Sequence, residues 1–402
     1  MPSTIKYFNF IQKHFSLFVI AFGSLCFFIL NVLLKEQISS YDYGTYSMFI
    51  TYISLLSSFG MLGFEQTLLR TSEIKSKLEI DKGIIFPSII SILFVSTIGS
   101  YLMFNNYDIQ LDVLTLFVFS ILVILTKLIF NLYRLRSKFT ISQISINFWK
   151  IALFFIVGYY ILFDIDFTIQ DLFVSVFFLF CISGVLILGI LNKVVFNYNK
   201  SGLELVKKSS LFFLILFTIS LISFGDRFFI ESRFGLSELG DYFFYINIFL
   251  FPFSLFQTYI GFKEIVSFKK DFSLKLLRSK IILASKYSSF FSIILFFSIY
   301  LVEHIGLYDL KITSNLNIII PLIFLGNIKI VYSLFSSAIG AIANDTMLAN
   351  INIKSILSII LILPCIYYLS FNISITIIFI ITLWVIRCLI WYNQLKKYKS
   401  VI

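Results

Sequence analysis

Long apolar stretches recur along the whole chain, and short polar segments that hold most of the charges separate them. A stretch of about 20 apolar residues is what an α-helix needs to cross the hydrocarbon core of a bilayer. The pattern predicts twelve membrane-spanning helices, so we expect an all-α polytopic membrane protein. The predicted spans are 15–34, 43–63, 84–104, 111–133, 148–163, 171–191, 209–230, 241–262, 284–303, 317–338, 352–370 and 373–392.

Composition supports the same class of protein. Of the 402 residues, 59% are hydrophobic and 13% are charged, whereas soluble domains have about 45–50% apolar and about 25% charged residues. Twelve spans would use roughly 240 residues, and the remainder must form the connections and the two tails. This leaves no room for a soluble catalytic, nucleotide-binding or DNA-reading domain. The sequence also has no Walker loop and no His/Cys set with metal-ligand spacing, so we expect neither an enzyme nor a cofactor.

The basic residues alternate between the two sides of this predicted topology. The predicted inner connections and the tails hold 23 Lys and Arg residues, while the outer connections hold only Lys35, Arg233 and Lys311. Because cytoplasmic connections of membrane proteins are enriched in Lys and Arg, both termini are predicted to be cytoplasmic. The net charge of +11 is therefore spread over alternate loops, and it does not indicate a nucleic-acid partner.

One short motif occurs twice, at an offset of 196 residues. The segments 41–46 and 237–242 both carry an acid, a Gly and a Tyr in the same order. A weaker match, at an offset of 202, pairs Lys127 with Lys329 in the fourth helix of each half. The repeat predicts two six-helix bundles, at 1–200 and 201–402.

These motifs carry a family resemblance. The run Asp226-Arg227-Phe228-Phe229-Ile230-Glu231, followed by Phe234-Gly235 and Glu238-Leu239-Gly240-Asp241-Tyr242, resembles the central segment of Wzx-type flippases for O-antigen and capsular polysaccharide. The early run Asp42-Tyr43-Gly44-Thr45-Tyr46 resembles their first-hairpin motif. The resemblance implies the multidrug/oligosaccharidyl-lipid/polysaccharide (MOP) exporter superfamily, with a MATE-like fold whose two six-helix halves rock around a central cavity.

The resemblance also implies a substrate and a location. The substrate would be an oligosaccharide linked to undecaprenyl pyrophosphate, moved from the cytoplasmic to the outer leaflet of the bacterial plasma (inner) membrane for O-antigen, lipopolysaccharide or capsule biosynthesis. A polysaccharide polymerase and a chain-length regulator are the protein partners it suggests, and H⁺ or Na⁺ is the possible coupling ion. The related lipid II flippases place cavity arginines on their first helices, but this chain has no cation between Phe15 and Leu34.

A flippase of this kind must carry a pyrophosphate through hydrocarbon. Burying one ion in such a medium costs of order 20 kcal/mol in the idealised limit, so we expect cations at membrane depth. On the fourth helix, Lys127, Asn131, Arg134 and Lys138 fall at i, i+4, i+7 and i+11, which places them on one face. On the tenth helix, Lys329 leads a similar stripe with Ser333. Two such lysines are candidates to grip a pyrophosphate as point charges. The alternative is that each snorkels to the inner headgroups.

The other candidate residues are polar or charged side chains within the predicted spans. Thr51, Ser58, Asn247 and Ser254 are candidates to hydrogen-bond sugar hydroxyls, or they simply pack helices together. Arg387 would add positive potential at an inward-open mouth, or it snorkels. Intramembrane acids are energetically expensive, so Asp226 is a candidate for ion coupling. Glu65, which is predicted to lie at the end of the second helix, is a second candidate. The alternative for Asp226 is a place beside an interfacial Arg227–Glu231 ion pair. Pro252 is predicted to bend the eighth helix.

Two other classes of protein remain open. A drug or metabolite exporter of the same superfamily should carry acids deep in its first bundle. An O-antigen polymerase or ligase should carry a long outer loop with basic or catalytic residues, and the predicted outer loops are short.

Overall fold

The computed structural model describes residues 2–74, 78–107, 109–185, 189, 194–197, 202–306 and 311–399. Four basic residues of the predicted inner connections, Lys75, Lys77, Lys193 and Lys200, lie outside the described residues. The chain divides into two compact units, the first ending at Ser220 and the second beginning at Leu221.

The described residues of the first unit form seven complete helices, three short strands and the beginning of an eighth helix. The helices are α1 (Pro2–Gln37), α2 (Ser40–Phe59), α3 (Phe64–Thr71), α4 (Lys82–Asn106), α5 (Val113–Leu135), α6 (Phe139–Leu162), α7 (Ile169–Val185) and the start of α8 (Gly202–Phe234). The strands are β1 (Glu73–Ile74), β2 (Leu78–Asp81) and β3 (Val194–Asn197).

The second unit is helical throughout its described residues. After the remainder of α8 come α9 (Leu236–Tyr245), a π-helical segment (Ile246–Leu250), α10 (Phe251–Lys270), α11 (Leu274–His304), a 3₁₀ turn (Thr313–Asn315), α12 (Leu316–Ile342), α13 (Asp345–Leu369) and α14 (Ile373–Lys399). The π-helical segment ends directly before α10, whose second residue is Pro252.

Ten helices are long and apolar enough to cross a membrane, counting only the described part of the chain. They confirm a multi-pass, mainly helical membrane protein. The predicted span 43–63 corresponds to α2, which has the length but carries many Ser, Thr and Tyr residues. The predicted span 171–191 corresponds to α7, with 17 described residues. The number of twelve spans and the side of the termini therefore stay predictions.

One helix lies at the centre of each unit. In the first unit α5 packs against α2, α4, α6 and α7, and in the second unit α12 packs against α10, α11 and α14. Lys127 lies on α5 and Lys329 lies on α12. The two lysines matched by the sequence repeat thus occupy the central helix of their own unit.

The copies of the repeat both begin a helix. α2 starts at Ser40 and α9 at Leu236, which are 196 residues apart, the same offset as in the sequence. The Ser39 hydroxyl accepts a hydrogen bond from the backbone N–H of Asp42 at 3.1 Å and so caps α2. At the second copy, Gly235 with φ +95° occupies the cap position.

The strands form a small sheet that the all-α prediction omitted. β1 pairs antiparallel with β2, and β2 pairs parallel with β3. Leu78 and Ile80 of β2 belong to one buried cluster with Leu132 and Tyr133 at the end of α5. The sheet joins two connections that were predicted to lie on the same, inner side of the membrane.

A sharp turn separates α2 from α3. Leu62 and Gly63 adopt positive φ angles of +45° and +84°, so the helix ends at Phe59 and does not reach residue 63 as predicted. A Cβ atom at Gly63 would lie 2.4 Å from the Ser209 carbonyl oxygen, so only glycine fits here. The Ser209 hydroxyl also donates to the Leu62 carbonyl at 2.9 Å. Glu65 therefore lies on α3, and its predicted place at the end of the second helix is wrong.

Candidate functional site

A charged cluster surrounds Lys127 in the first unit. The Lys127 side chain is partly buried, and its ammonium lies 4.8 Å from the centre of the Phe130 ring. It interacts electrostatically with the Glu65 carboxylate on α3, with Arg134 two turns further along α5, and with Lys150 on α6. Lys127 thus lies close to one buried acid and two further cations.

Glu65 is the only acid in this cluster among the described residues. Its side chain is 4% exposed, and its Oε2 atom has no hydrogen-bond partner in the described part of the chain. Burial raises the pKa of the carboxyl from the ordinary 4.5 to about 7, because the charged form is poorly solvated. Backbone N–H groups and Lys127 oppose this rise only in part. Glu65 therefore changes its charge near neutral pH.

The Glu65 titration predicts how stability depends on pH. The folded carboxyl holds its proton more tightly than the unfolded one, so the stability of the protein should fall as the pH rises from about 4.5 to about 7 and should level off above that range. The Glu65→Gln variant should lack this component. Thermal denaturation of both proteins in detergent over this pH range measures it, and parallel profiles of the two proteins would contradict the assignment.

The other predicted residues of the first unit differ in their surroundings. On α5, Asn131 is buried and Arg134 is exposed. On α2, the Thr51 hydroxyl donates to the Ser47 carbonyl and the Ser58 hydroxyl donates to the Ser54 carbonyl, so both bond within their own helix. α5 ends at Leu135, where the next residues turn and Ser137 has a positive φ of +56°. The predicted stripe therefore ends at Arg134, and placing Lys138 on the same helical face was wrong.

A second charged cluster surrounds Lys329 in the second unit. The Tyr242 hydroxyl donates to Oδ2 of Asp226 at 2.6 Å, which links α9 to α8. Lys329 interacts electrostatically with both Asp226 and Arg227. The Arg227 guanidinium lies 4.9 Å from the centre of the Phe243 ring. Asp226 and Tyr242 belong to the run that carries the family resemblance, and the structure brings them into direct contact.

Arg387 lies in an aromatic cage close to Lys329. It is 1% exposed, donates from Nε to the Tyr332 hydroxyl at 3.1 Å, and stacks over Trp391 at 5.3 Å. Trp384 makes an edge contact with the Tyr332 ring, and the centre of its own ring lies 5.3 Å from the Lys329 ammonium. The cage was missed in the sequence, although Trp384, Arg387 and Trp391 are spaced i, i+3 and i+7 on α14 and so share one face.

The predicted small polar residues of the second unit bond within their own helices. The Asn247 amide, in the π-helical segment, donates to the Phe243 carbonyl at 3.0 Å. Ser254 donates to the Phe251 carbonyl and Ser333 to the Ile330 carbonyl. Their role toward sugar hydroxyls stays a prediction, as does that of Thr51 and Ser58.

The two units therefore share one arrangement. Each has a lysine on its central helix, close to a buried acid that the sequence did not identify as its partner: Glu65 for Lys127 and Asp226 for Lys329. An acid of this kind balances the lysine when no other anion is present. The same lysine is also able to attract an anionic group that enters the protein interior.

Comparisons with protein-family models, curated proteins and solved structures found no match. The chemistry of the two clusters is therefore what indicates the function. Across the described residues, no three His, Cys, Asp or Glu side chains are grouped to hold a metal ion.

Proposed function

We propose that this chain is a lipid-linked oligosaccharide flippase. It moves an undecaprenyl-pyrophosphate-linked repeat unit from the cytoplasmic to the outer leaflet of a bacterial inner membrane, by alternating access, for O-antigen or capsule biosynthesis. The observation that carries the proposal is the pair of lysines, Lys127 and Lys329, each on the central helix of its unit and each facing the protein interior near an acid.

The charge of the pyrophosphate is the physical reason for this proposal. Ionisable side chains within membrane-spanning helices are costly, and they commonly mark substrate or ion pathways. Each cluster holds more cations than acids: Lys127 interacts with Glu65 but also with Lys150 and Arg134, and Lys329 interacts with Asp226 but also with Arg227. A surplus of positive charge favours an anionic ligand over a cationic one.

The buried acids favour a second candidate, an ion-coupled drug or metabolite exporter. Glu65 lies against the central helix of the first unit, and such an exporter was expected to carry an acid deep in that unit. Protonation of Glu65 near neutral pH would suit proton coupling. In the flippase, protonation of Glu65 would remove its electrostatic attraction for Lys127, and the lysine would then be able to interact with the substrate.

Reconstitution into liposomes tests the proposal directly. The purified full-length chain is incorporated with a fluorescent disaccharide on undecaprenyl pyrophosphate, and a membrane-impermeant reagent reports how much of the sugar becomes accessible at the outer surface. We expect the sugar to become accessible rapidly in liposomes that contain the protein and hardly at all in protein-free liposomes. A neutral glycolipid that lacks the pyrophosphate is the matched substrate control and should not move.

Two outcomes would overturn the flippase. One is equal movement of the pyrophosphate-linked and the neutral glycolipid, because the proposed cations then have no role. The other is no movement of either lipid together with pH-driven export of a cationic dye, which is the result expected for the exporter.

A further inference from the structure

The connection between α10 and α11 concentrates positive charge. Residues 263–286 hold seven basic and only two acidic residues, and we refer to this segment as the basic hairpin. Its basic residues are Lys263, Lys269, Lys270, Lys275, Arg278, Lys280 and Lys286. None of them belongs to the two charged clusters described above.

One ion pair links the α10 part of the basic hairpin to its α11 part. The Lys280 ammonium on α11 pairs with the Glu264 carboxylate on α10 and donates to the Ser267 hydroxyl at 2.8 Å. It also lies 5.1 Å from the centre of the Phe268 ring. The pair uses one of the two acids internally, so only Asp271 is left to balance the remaining cations. Lys263, Lys269, Lys270, Lys275, Arg278 and Lys286 are exposed.

The basic hairpin lies beside the end of α14. The Arg278 guanidinium donates to the Tyr392 hydroxyl at 2.5 Å and stacks 5.8 Å from the centre of that ring. Lys396 follows one turn later on α14 and is exposed. The ends of three helices of the second unit therefore share one basic surface.

This surface borders the part of α11 that is suited to contact lipid. Ile282 is 70% exposed, and Tyr287 and Phe290 are also largely exposed. At 1.5 Å per residue, Arg278 lies only about 6 Å before Ile282 along the helix. On α10, the Lys263 ammonium lies 5.6 Å from the centre of the exposed Tyr259 ring. Adjacent Tyr and Lys side chains are typical of the headgroup level of a bilayer.

We propose that the basic hairpin binds the headgroups of anionic phospholipids. Its cations lie where the exposed apolar surface of α11 begins, so a lipid can place its phosphate against the lysines and its acyl chains along Tyr287 and Phe290. A soluble acidic protein would use the charge but not the apolar stripe next to it. Clusters of lysine beside membrane-spanning helices attract anionic lipids through their compact point charges. This site is independent of the proposed transport function.

Native mass spectrometry of the purified full-length chain tests this binding. Equal amounts of phosphatidylglycerol and phosphatidylcholine are offered, and the lipids that remain bound after detergent removal are counted. The variant Lys269→Gln/Lys270→Gln/Lys275→Gln removes three exposed charges and leaves the Lys280–Glu264 pair intact. The matched control, Lys82→Gln/Lys138→Gln/Lys207→Gln, removes three exposed charges from the first unit.

We expect the wild-type chain to retain phosphatidylglycerol preferentially. The hairpin variant should lose this preference at least about tenfold, because each lysine near an anionic lipid surface contributes separately, while the control variant should keep most of it. Equal losses in the two variants would overturn the site, since the attraction would then come from overall charge. Equal retention of both lipids by the wild type would overturn it as well. Thermal denaturation of each variant verifies that the fold is unchanged.

Discussion

Replacing Lys127 and Lys329 together with glutamine should abolish movement of the pyrophosphate-linked oligosaccharide. Each lysine is expected to contribute the equivalent of one charge-assisted hydrogen bond to the anion in transit, about 1.5–3 kcal/mol. That corresponds to roughly 10- to 150-fold in rate for each residue. Loss of both should reduce the rate in liposomes at least about 100-fold. The rate of sugar exposure at the outer surface is the measurement.

The partner acids determine how this experiment is controlled. Removing Lys127 alone leaves the buried Glu65 without its nearest cation, and an uncompensated buried charge destabilises the protein. The variant Glu65→Gln/Lys127→Gln removes both charges and so should fold. Its transport rate should nevertheless be well below that of the wild type. Lys286→Gln, on the exposed side of α11, is the matched control and should transport normally. Wild-type rates in a well-folded Glu65→Gln/Lys127→Gln variant would remove this cluster from the substrate path.

Replacing Arg387 with alanine should produce the largest loss of stability from a single change in the second unit. The side chain is almost fully buried, bonds the Tyr332 hydroxyl, and fills the cage between Tyr332 and Trp391. Its removal leaves a cavity and takes the partner from a buried hydroxyl, which together cost about 3–5 kcal/mol. Thermal denaturation in detergent should show a clear decrease in melting temperature.

Two further variants separate packing from charge at this position. Arg387→Met restores much of the volume without the charge, so it should recover part of the stability but not the stacking of a cation on the rings. Lys396→Ala, on the exposed end of the same helix, should change stability by less than about 0.5 kcal/mol. An Arg387→Ala protein as stable as the wild type would mean that the cage does not depend on its arginine.

Helix positions could be predicted because the length of an apolar run is a local property of the sequence. α5 and α12 lie within a few residues of the predicted spans 111–133 and 317–338. The spacing of polar residues also indicated which face of α5 carries Lys127. Periodicity alone, however, does not say what that face meets.

The partners of the two lysines depend on tertiary structure and could not be predicted. Glu65 is 62 residues away from Lys127 in sequence, and its position follows from the backbone turn at Leu62 and Gly63. A leucine with positive φ has no signal in the sequence. The strands were missed for a different reason, because two to four residues are too few to establish an alternating pattern.

The parallel pairing of β2 and β3 has a consequence for biogenesis. Val194 is synthesised 113 residues after Asp81, and α4, α5, α6 and α7 are synthesised between the two strands. The two strands can meet only if the insertion machinery has left both connections in the same compartment. The sheet therefore closes only after α7 has been synthesised, and it requires an even number of membrane crossings between β2 and β3.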